Sequence, residues 1–373
     1  MKAIINANIV LEDSILEDGI ILVEDNVIKQ IGKKNQVNLP EDCEIIDAKG
    51  LFVGPGFVDI HCHAGGDVWA HEDPEKMARF QLSGGTTSVN CTIFHDIGEE
   101  GAIQAMRKVR ETMESNVPGN IVDVHFEGPF MNPKYGANKH TIRPVDKREY
   151  NRFLDEFSDL ITMWTIAPEI DGAREFITDV HAAGIPLSIG HSEASPEDVF
   201  WAVDNGVSIC THILNATGTS ISPSRWGGTK EVSFDDAVML CDNVYCELIN
   251  DSEGIHVRPE MGRLVVKTVG VDYIVAVTDA CTGSVDDTDV NLVNGSLYGS
   301  KLRMFQAARN FKNNTQLDMV DVFKVCSRNP ARAIKIDEQV GTIEPGKKAN
   351  FVVVDDDYNI SKVILNGKVE VEN

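Results

Sequence analysis

The chain lacks several features that mark large functional classes. Its eight cysteines are scattered without a CxxC pair or a regular spacing, so no disulfide framework is predicted and the thiols read as reduced. No run of about 18 apolar residues is present to span a bilayer. Cations are scarce: 34 Lys and Arg stand against 58 Asp and Glu, a formal net charge of −24. The long-range field of such a chain repels polyanions, which argues against nucleic acid and membrane partners. No glycine-rich phosphate loop follows an early strand, which weakens a dinucleotide-binding reading. The N-terminus, MKAIINANIV, has one lysine and an apolar run broken by Asn6 and Asn8. It reads as a first strand and not as a signal peptide, and a soluble, cytoplasmic protein is expected.

What the sequence does contain is room and rhythm. At 373 residues it exceeds the roughly 250 residues typical of a single (β/α)8 barrel. Residues 1–55 and 336–373 carry short alternating apolar runs between turn residues, which predicts one small β-sandwich domain built from both chain termini. Asn366-Gly367 is a two-residue hairpin signal, because both positions of such a turn need positive φ. Residues 56–335 alternate strand and helix patterns. The apolar, β-branched segments are FVDIHCH, TSVNCTIF, VDVHFEGP, MWTIAPE, PLSIGHS, SICTHIL, YCELIND and YIVAVTDA. Between them lie helix starts such as Ser195-Pro196-Glu197-Asp198, an N-cap followed by a first-turn proline and two acids. Eight such units predict an α/β fold, a (β/α)8 TIM-type barrel, with an open doubly wound sheet as the alternative.

Almost every one of these strands ends in His, Glu, Asn or Asp, and in a barrel those ends share the rim that carries active sites. His61 and His63 flank Cys62, so the two-residue strand period puts both imidazoles on one face. Glu127 ends the third segment, His191 the fifth, His212 the sixth and Asp279 the eighth. Any one of them alone could be a hydrogen-bonded core residue. Six together are the donor set of a divalent-metal site, since imidazole and carboxylate suit Zn²⁺ and similar ions. Cys241, Cys246 and Cys281 have no base at a suggestive spacing and read as core thiols.

In their order, PGFVDIHCH, EGPF, GHS, THILNA and TDA resemble the amidohydrolase superfamily. Glu127 in EGPF, where many relatives use a carboxylated lysine, is similar to the N-acetylglucosamine-6-phosphate deacetylases. The resemblance implies a hydrolase that removes an N-acetyl group from an amino-sugar phosphate, using one or two divalent ions, Zn most of all, with Fe, Mn or Co as other choices. It implies that Glu127, His191 and His212 hold one ion, that His61 and His63 hold a second bridged through Glu127, and that Asp279 is the general base and acid. It further implies substrate contacts from Asn215 and Ala216 and from His256, which polarises the amide carbonyl. Arg225 would reach the phosphate of a neighbouring subunit, which implies a homodimer.

Three departures from that pattern bear on the sugar. The segment after EGPF reads Gly136-Ala137-Asn138, where relatives place a substrate-contacting histidine; His140 follows two residues later. The stretch INDSEGIH is one residue longer than usual before His256, and GSKLRMFQA puts Phe305 where an aspartate is expected. Lys139 and Arg258 are further candidates for phosphate contact. The competing readings are an N-acetylgalactosamine 6-phosphate or other N-acyl substrate, a cyclic-amide hydrolase or dipeptidase, and a non-catalytic small-molecule-binding barrel. The second of these usually needs a bridging lysine, and no strand end supplies one.

Overall fold

A computed structural model describes residues 1–115, 117–135, 141–218, 224–283 and 288–373. Eight parallel strands, Phe57–Cys62, Thr86–Phe94, Ile121–Glu127, Ile161–Ile166, Leu187–Ile189, Val207–Cys210, Tyr245–Ile249 and Ile274–Val277, pair in sequence order. The eighth returns to the first through Asp279 N–H to the His61 carbonyl at 2.9 Å and His63 N–H to the Ala280 carbonyl at 3.0 Å. The sheet is therefore a barrel, and the doubly wound alternative falls. The closure runs through three of the predicted ligand positions, so the seam of the barrel and the site are built by the same residues.

Each crossover helix buries one stripe against the barrel. Phe126 of the third strand, Trp164 of the fourth, Phe153 of the helix Lys147–Phe157 and Phe176 of the helix Ala173–Ala182 interlock with ring centroids 4.8–5.9 Å apart. The helix Pro196–Asp204 starts as its sequence predicts, with the Ser195 hydroxyl accepting from the Asp198 N–H. It stops before Gly206, at φ 106°, a conformation that glycine alone adopts without strain.

The barrel interior under the rim is polar, which the apolar reading of the strands did not anticipate. Thr92 Oγ1 contacts His125 Nδ1 at 3.2 Å, His125 Nε2 contacts Thr165 Oγ1 at 2.8 Å, and Thr211 Oγ1 lies 2.9 Å from Thr165 and 2.6 Å from Ser188. Burial holds the His125 pKa well below its ordinary value, so this ring stays neutral within the belt. A fully hydrogen-bonded belt fixes strand register more tightly than apolar contacts do.

Both termini build one eight-stranded sheet. Lys2–Val10 pairs parallel with Phe52–Pro55, which pairs antiparallel with Phe351–Val354. Asn366 and Gly367 sit at φ 51° and 73°, as the hairpin requires. Buried Arg328 ties this sheet to the barrel by reaching Glu12 at 3.3 Å and pairing with Asp272.

Asp123 on the third barrel strand makes a testable stability statement. Burial, reinforced by the charge of Asp159, pushes its pKa up to about 7, against about 3.9 in an unfolded chain. The folded state therefore holds a proton the unfolded state has lost between those values, and stability falls as pH rises through that window and stays low above it. Asp123→Asn should be neutral near pH 4 and stabilising above pH 7, by about 1 kcal/mol after allowing for partial solvent screening. Thermal melts across pH read this; a variant as unstable as the parent at pH 8 would refute it.

Candidate metal centre and active site

The ligand residues leave the strands through unusual backbone. His191, His212 and Asp279 have φ of 48°, 26° and 45°, a region that costs a non-glycine residue energy and persists where surrounding structure enforces it. The turn swings each side chain inward over the barrel mouth. Gly299, φ 51°, crosses directly behind Asp279; a Cβ there would lie 2.4 Å from the Asp279 carbonyl oxygen.

Two clusters of metal-type donors result: His61, His63 and Asp279, and Glu127, His191 and His212, each with ligand atoms within 4.8 Å of one another. Glu127 belongs to both. Its Oε1 lies 2.8 Å from His191 Nε2, 3.3 Å from His212 Nε2 and 3.5 Å from His61 Nε2, and its Oε2 lies 3.2 Å from His63 Nε2. Asp279 Oδ1 stands 3.3 Å from His63 Nε2 and 3.5 Å from His61 Nε2.

The donor chemistry fits divalent ions. His212 Nδ1 faces the Asn215 carbonyl at 3.2 Å and His61 Nδ1 faces Glu247 Oε2 at 3.0 Å. A proton on each Nδ1 satisfies those acceptors, leaving a bare lone pair on each Nε2. The His212 lone pair then points at His191 Nε2, 3.0 Å away, and that of His61 at His63 Nε2, 3.3 Å away, with carboxylate oxygens beside both. Converging lone pairs and carboxylates repel unless positive charge lies among them. The electrostatics carry the same demand. Burial opposes charge on His61, yet Glu247, Glu127 and Asp279 hold its pKa well above the ordinary value. Burial likewise favours the neutral acid at Glu127 and Asp279, yet His61 and its neighbours hold both carboxyls below the usual range.

Above the clusters opens a cavity of about 650 Å³, within the range of small-molecule sites. Asn215, Ala216 and His256 line it beside the metal-type residues, as the sequence predicts. Ala216 stands at φ 52°, and the Asn215 side-chain amide donates to the His256 carbonyl at 2.9 Å. Arg225 does not line the cavity of its own chain; its side chain is 76 % exposed and 4.0 Å from Glu231. Asn138, Lys139 and His140 lie outside the described residues. Arg258 is exposed at the start of the helix Pro259–Val269. Phe305 is not a cavity residue; its ring packs under the guanidinium of Arg303 at 4.7 Å and of Arg309 at 5.6 Å. Of the three predicted core thiols, Cys246 is buried in the core and Cys241 is half-buried against it, whereas Cys281 departs from that expectation: next but one to Asp279, it lines the cavity.

Several residues of the site escaped the sequence reading. Asp251 explains the long INDSEGIH stretch: its carboxylate accepts from the N–H groups of Glu253, Ile255 and His256 and from His256 Nδ1 at 2.9 Å. Burial opposes this charge, but the His256 side chain and those N–H groups hold its pKa down to about 2. Asp251 thereby fixes the His256 ring with Nε2 turned toward the cavity wall, 3.2 Å from the Gly299 carbonyl. An Asp five residues before a histidine was a local signal for this. Lys134, which pairs with Glu193, also lines the cavity. Asp59 accepts from the Thr278 hydroxyl at 2.6 Å and from the His61 N–H at 3.3 Å, bracing the first strand against the eighth. Glu247 lies beneath both clusters.

Comparison with known proteins agrees with this architecture. The family model described as "Amidohydrolase family" matches residues 52–369. The chain is 28 % identical to an N-acetylglucosamine-6-phosphate deacetylase of Bacillus subtilis (strain 168), covering 97 % of this chain and 95 % of that one. It is 31 % identical to an N-acetylgalactosamine-6-phosphate deacetylase of Shewanella sp. (strain ANA-3), covering 84 % and 82 %. Among solved structures it is similar to the N-acetylglucosamine-6-phosphate deacetylase of Pasteurella multocida, with a TM-score of 0.89 at 27 % identity over all of both chains. A family whose members work with divalent ions accounts for the paired donor clusters. The chain belongs to the amidohydrolase family and, within it, to the N-acetylglucosamine-6-phosphate deacetylase group.

Proposed function

We propose that this protein removes the N-acetyl group of an N-acetylhexosamine 6-phosphate, most simply N-acetylglucosamine 6-phosphate, giving acetate and the amino-sugar phosphate. The observation that carries the reading is Asp279, a carboxylate at the floor of a 650 Å³ cavity and in contact with one donor cluster while the other lies across Glu127. Glu127, His191 and His212 hold one ion, and His61 and His63 with Asp279 hold a second. Zn²⁺ suits this nitrogen and oxygen set, with Fe, Mn and Co as other occupants. A divalent ion so held supplies Lewis-acid polarisation of a carbonyl and acidifies a water.

The chain's own groups do the rest. Asp279, through the carboxylate oxygen not facing His61 and His63, takes a proton from the attacking water and delivers it to the departing amine nitrogen. His256, held through Nδ1 by Asp251, exchanges the Gly299 carbonyl for the substrate carbonyl oxygen at its Nε2 as that oxygen gains charge. Asn215 and the Ala216 backbone meet the sugar phosphate. Arg225, which does not line its own cavity, completes the phosphate site of a second subunit, so the active form is a homodimer. The catalytic unit is the barrel, 56–335, and the sheet from 1–55 and 336–373 supports it. Among the described residues no helix is long and apolar enough to cross a membrane, and a cytoplasmic location suits a phosphorylated sugar.

The Shewanella relative supports a second substrate, N-acetylgalactosamine 6-phosphate. Acetate release from a panel of N-acetylhexosamines, with and without phosphate, decides between the sugars. Turnover of a 6-phosphate in preference to its free sugar is expected, and no turnover of any phosphorylated member would overturn the reading.

A further inference from the structure

Glu247 stands in the middle of the seventh barrel strand, with its side chain fully buried. Its Oε2 accepts twice: from His61 Nδ1 at 3.0 Å and from the backbone N–H of His212 at 3.1 Å. Its Oε1 has no hydrogen-bond partner, and among the described residues neither Lys nor Arg pairs with it. A buried acid in that state is costly unless compensating charge lies nearby. The place for such charge is the His61 ring and the donors beyond it, where His61 Nε2 faces His63, Glu127 and Asp279.

The arrangement is a carboxylate–histidine–ion triad of the kind that orients metal ligands from behind. It has an added property here. His61 belongs to one donor cluster and His212 to the other, and one oxygen atom of Glu247 holds the ring of the first and the backbone of the second, at the strained φ of 26°. We propose that Glu247 is a positioning residue that sets the occupancy of the His61/His63 ion site and mechanically joins the two sites. The inference rests on the two-ion reading above.

A purely structural carboxylate predicts something different. Glu247→Leu leaves the His61 Nδ1–H and the His212 N–H without an acceptor, which costs the fold in either case, whereas Glu247→Gln keeps an oxygen for both donors and removes only the charge. If Glu247 serves the ion, Glu247→Gln should leave the stripped protein at least as stable while weakening ion binding. If it serves the fold, the stripped protein should suffer.

The full chain, stripped with chelator and reloaded with Zn²⁺, is the material for the test. Ions bound per chain and melting temperatures of the loaded and stripped forms are measured for the parent, Glu247→Gln, Glu247→Leu and, as a benchmark, His61→Asn. The parent should hold two ions. Both Glu247 variants should bind one of them about 10–100-fold more weakly, as His61→Asn should, and in Glu247→Gln the gap between loaded and stripped melting should narrow with the stripped value held. Two ions bound at parental affinity in Glu247→Leu would overturn the proposal, as would a lower stripped melting temperature with affinity unchanged. Should Glu247→Leu not fold, the affinity of Glu247→Gln decides on the same criteria. A parent that binds a single ion refutes the two-ion reading and this inference with it, and is distinguished by needing no variant at all.

Discussion

Asp279→Asn is expected to lower kcat by about 10³-fold, the usual worth of a positioned general base and acid, while bound metal stays in place. The asparagine oxygen can still face His61 and His63, 3.5 and 3.3 Å from the Asp279 carboxylate, so ligation by the two imidazoles and Glu127 persists. What it cannot do is accept a proton and return it to the leaving nitrogen. KM should change little, because Asp279 contacts the reacting atoms and not the sugar phosphate. Steady-state kinetics with metal analysis on the same preparation reads both halves. Full activity with metal retained would remove Asp279 from proton transfer, and lost activity with lost metal would make it a ligand first.

The larger effect is expected from Glu127→Gln. Glu127 is a carboxylate donor shared by both clusters, with oxygens 2.8–3.5 Å from four imidazole nitrogens. The amide keeps the shape but removes a negative charge and one acceptor, and leaves converging histidine lone pairs with less to hold a cation among them. Metal content should collapse and turnover fall by roughly 10⁴-fold, since carbonyl polarisation and water acidification disappear together. Chelation of the parent should give the same loss, reversed by adding Zn²⁺. A Glu127→Gln protein with parental metal content and turnover would refute the shared-ligand role.

Much of this was written plainly in the chain. His61, His63, Glu127, His191, His212 and Asp279 could be picked out because each interrupts an apolar run at its end, where a barrel gathers side chains. The hairpin at Asn366-Gly367 and the cap at Ser195 were equally legible, since both depend on local backbone chemistry. Glu247, His125 and Asp59 were not, for a common reason. A barrel strand is buried on both faces, so an inward polar residue in mid-strand looks the same in sequence as a stray one, and only its partners across the barrel give it a role. Asp251 was hidden differently: it works through N–H groups of the loop that follows, and the extra residue in INDSEGIH read as a change of length before the wrapped turn gave it a purpose.

By itself the sequence determined the fold class, the rim on which chemistry sits, and the residue types that point to a divalent-metal hydrolase. It could do so because strand period, turn chemistry and the cost of burying unpaired polar groups are local properties. Tertiary structure alone decided that Glu127 reaches both clusters, that Arg225 stays out of the lining of its own cavity, and that His61 and His212 hang from one oxygen of Glu247. Those facts depend on the separation of strand ends around a closed ring, fixed by strand pairing and by the seam between His61 and Asp279, and no spacing along the chain encodes that distance.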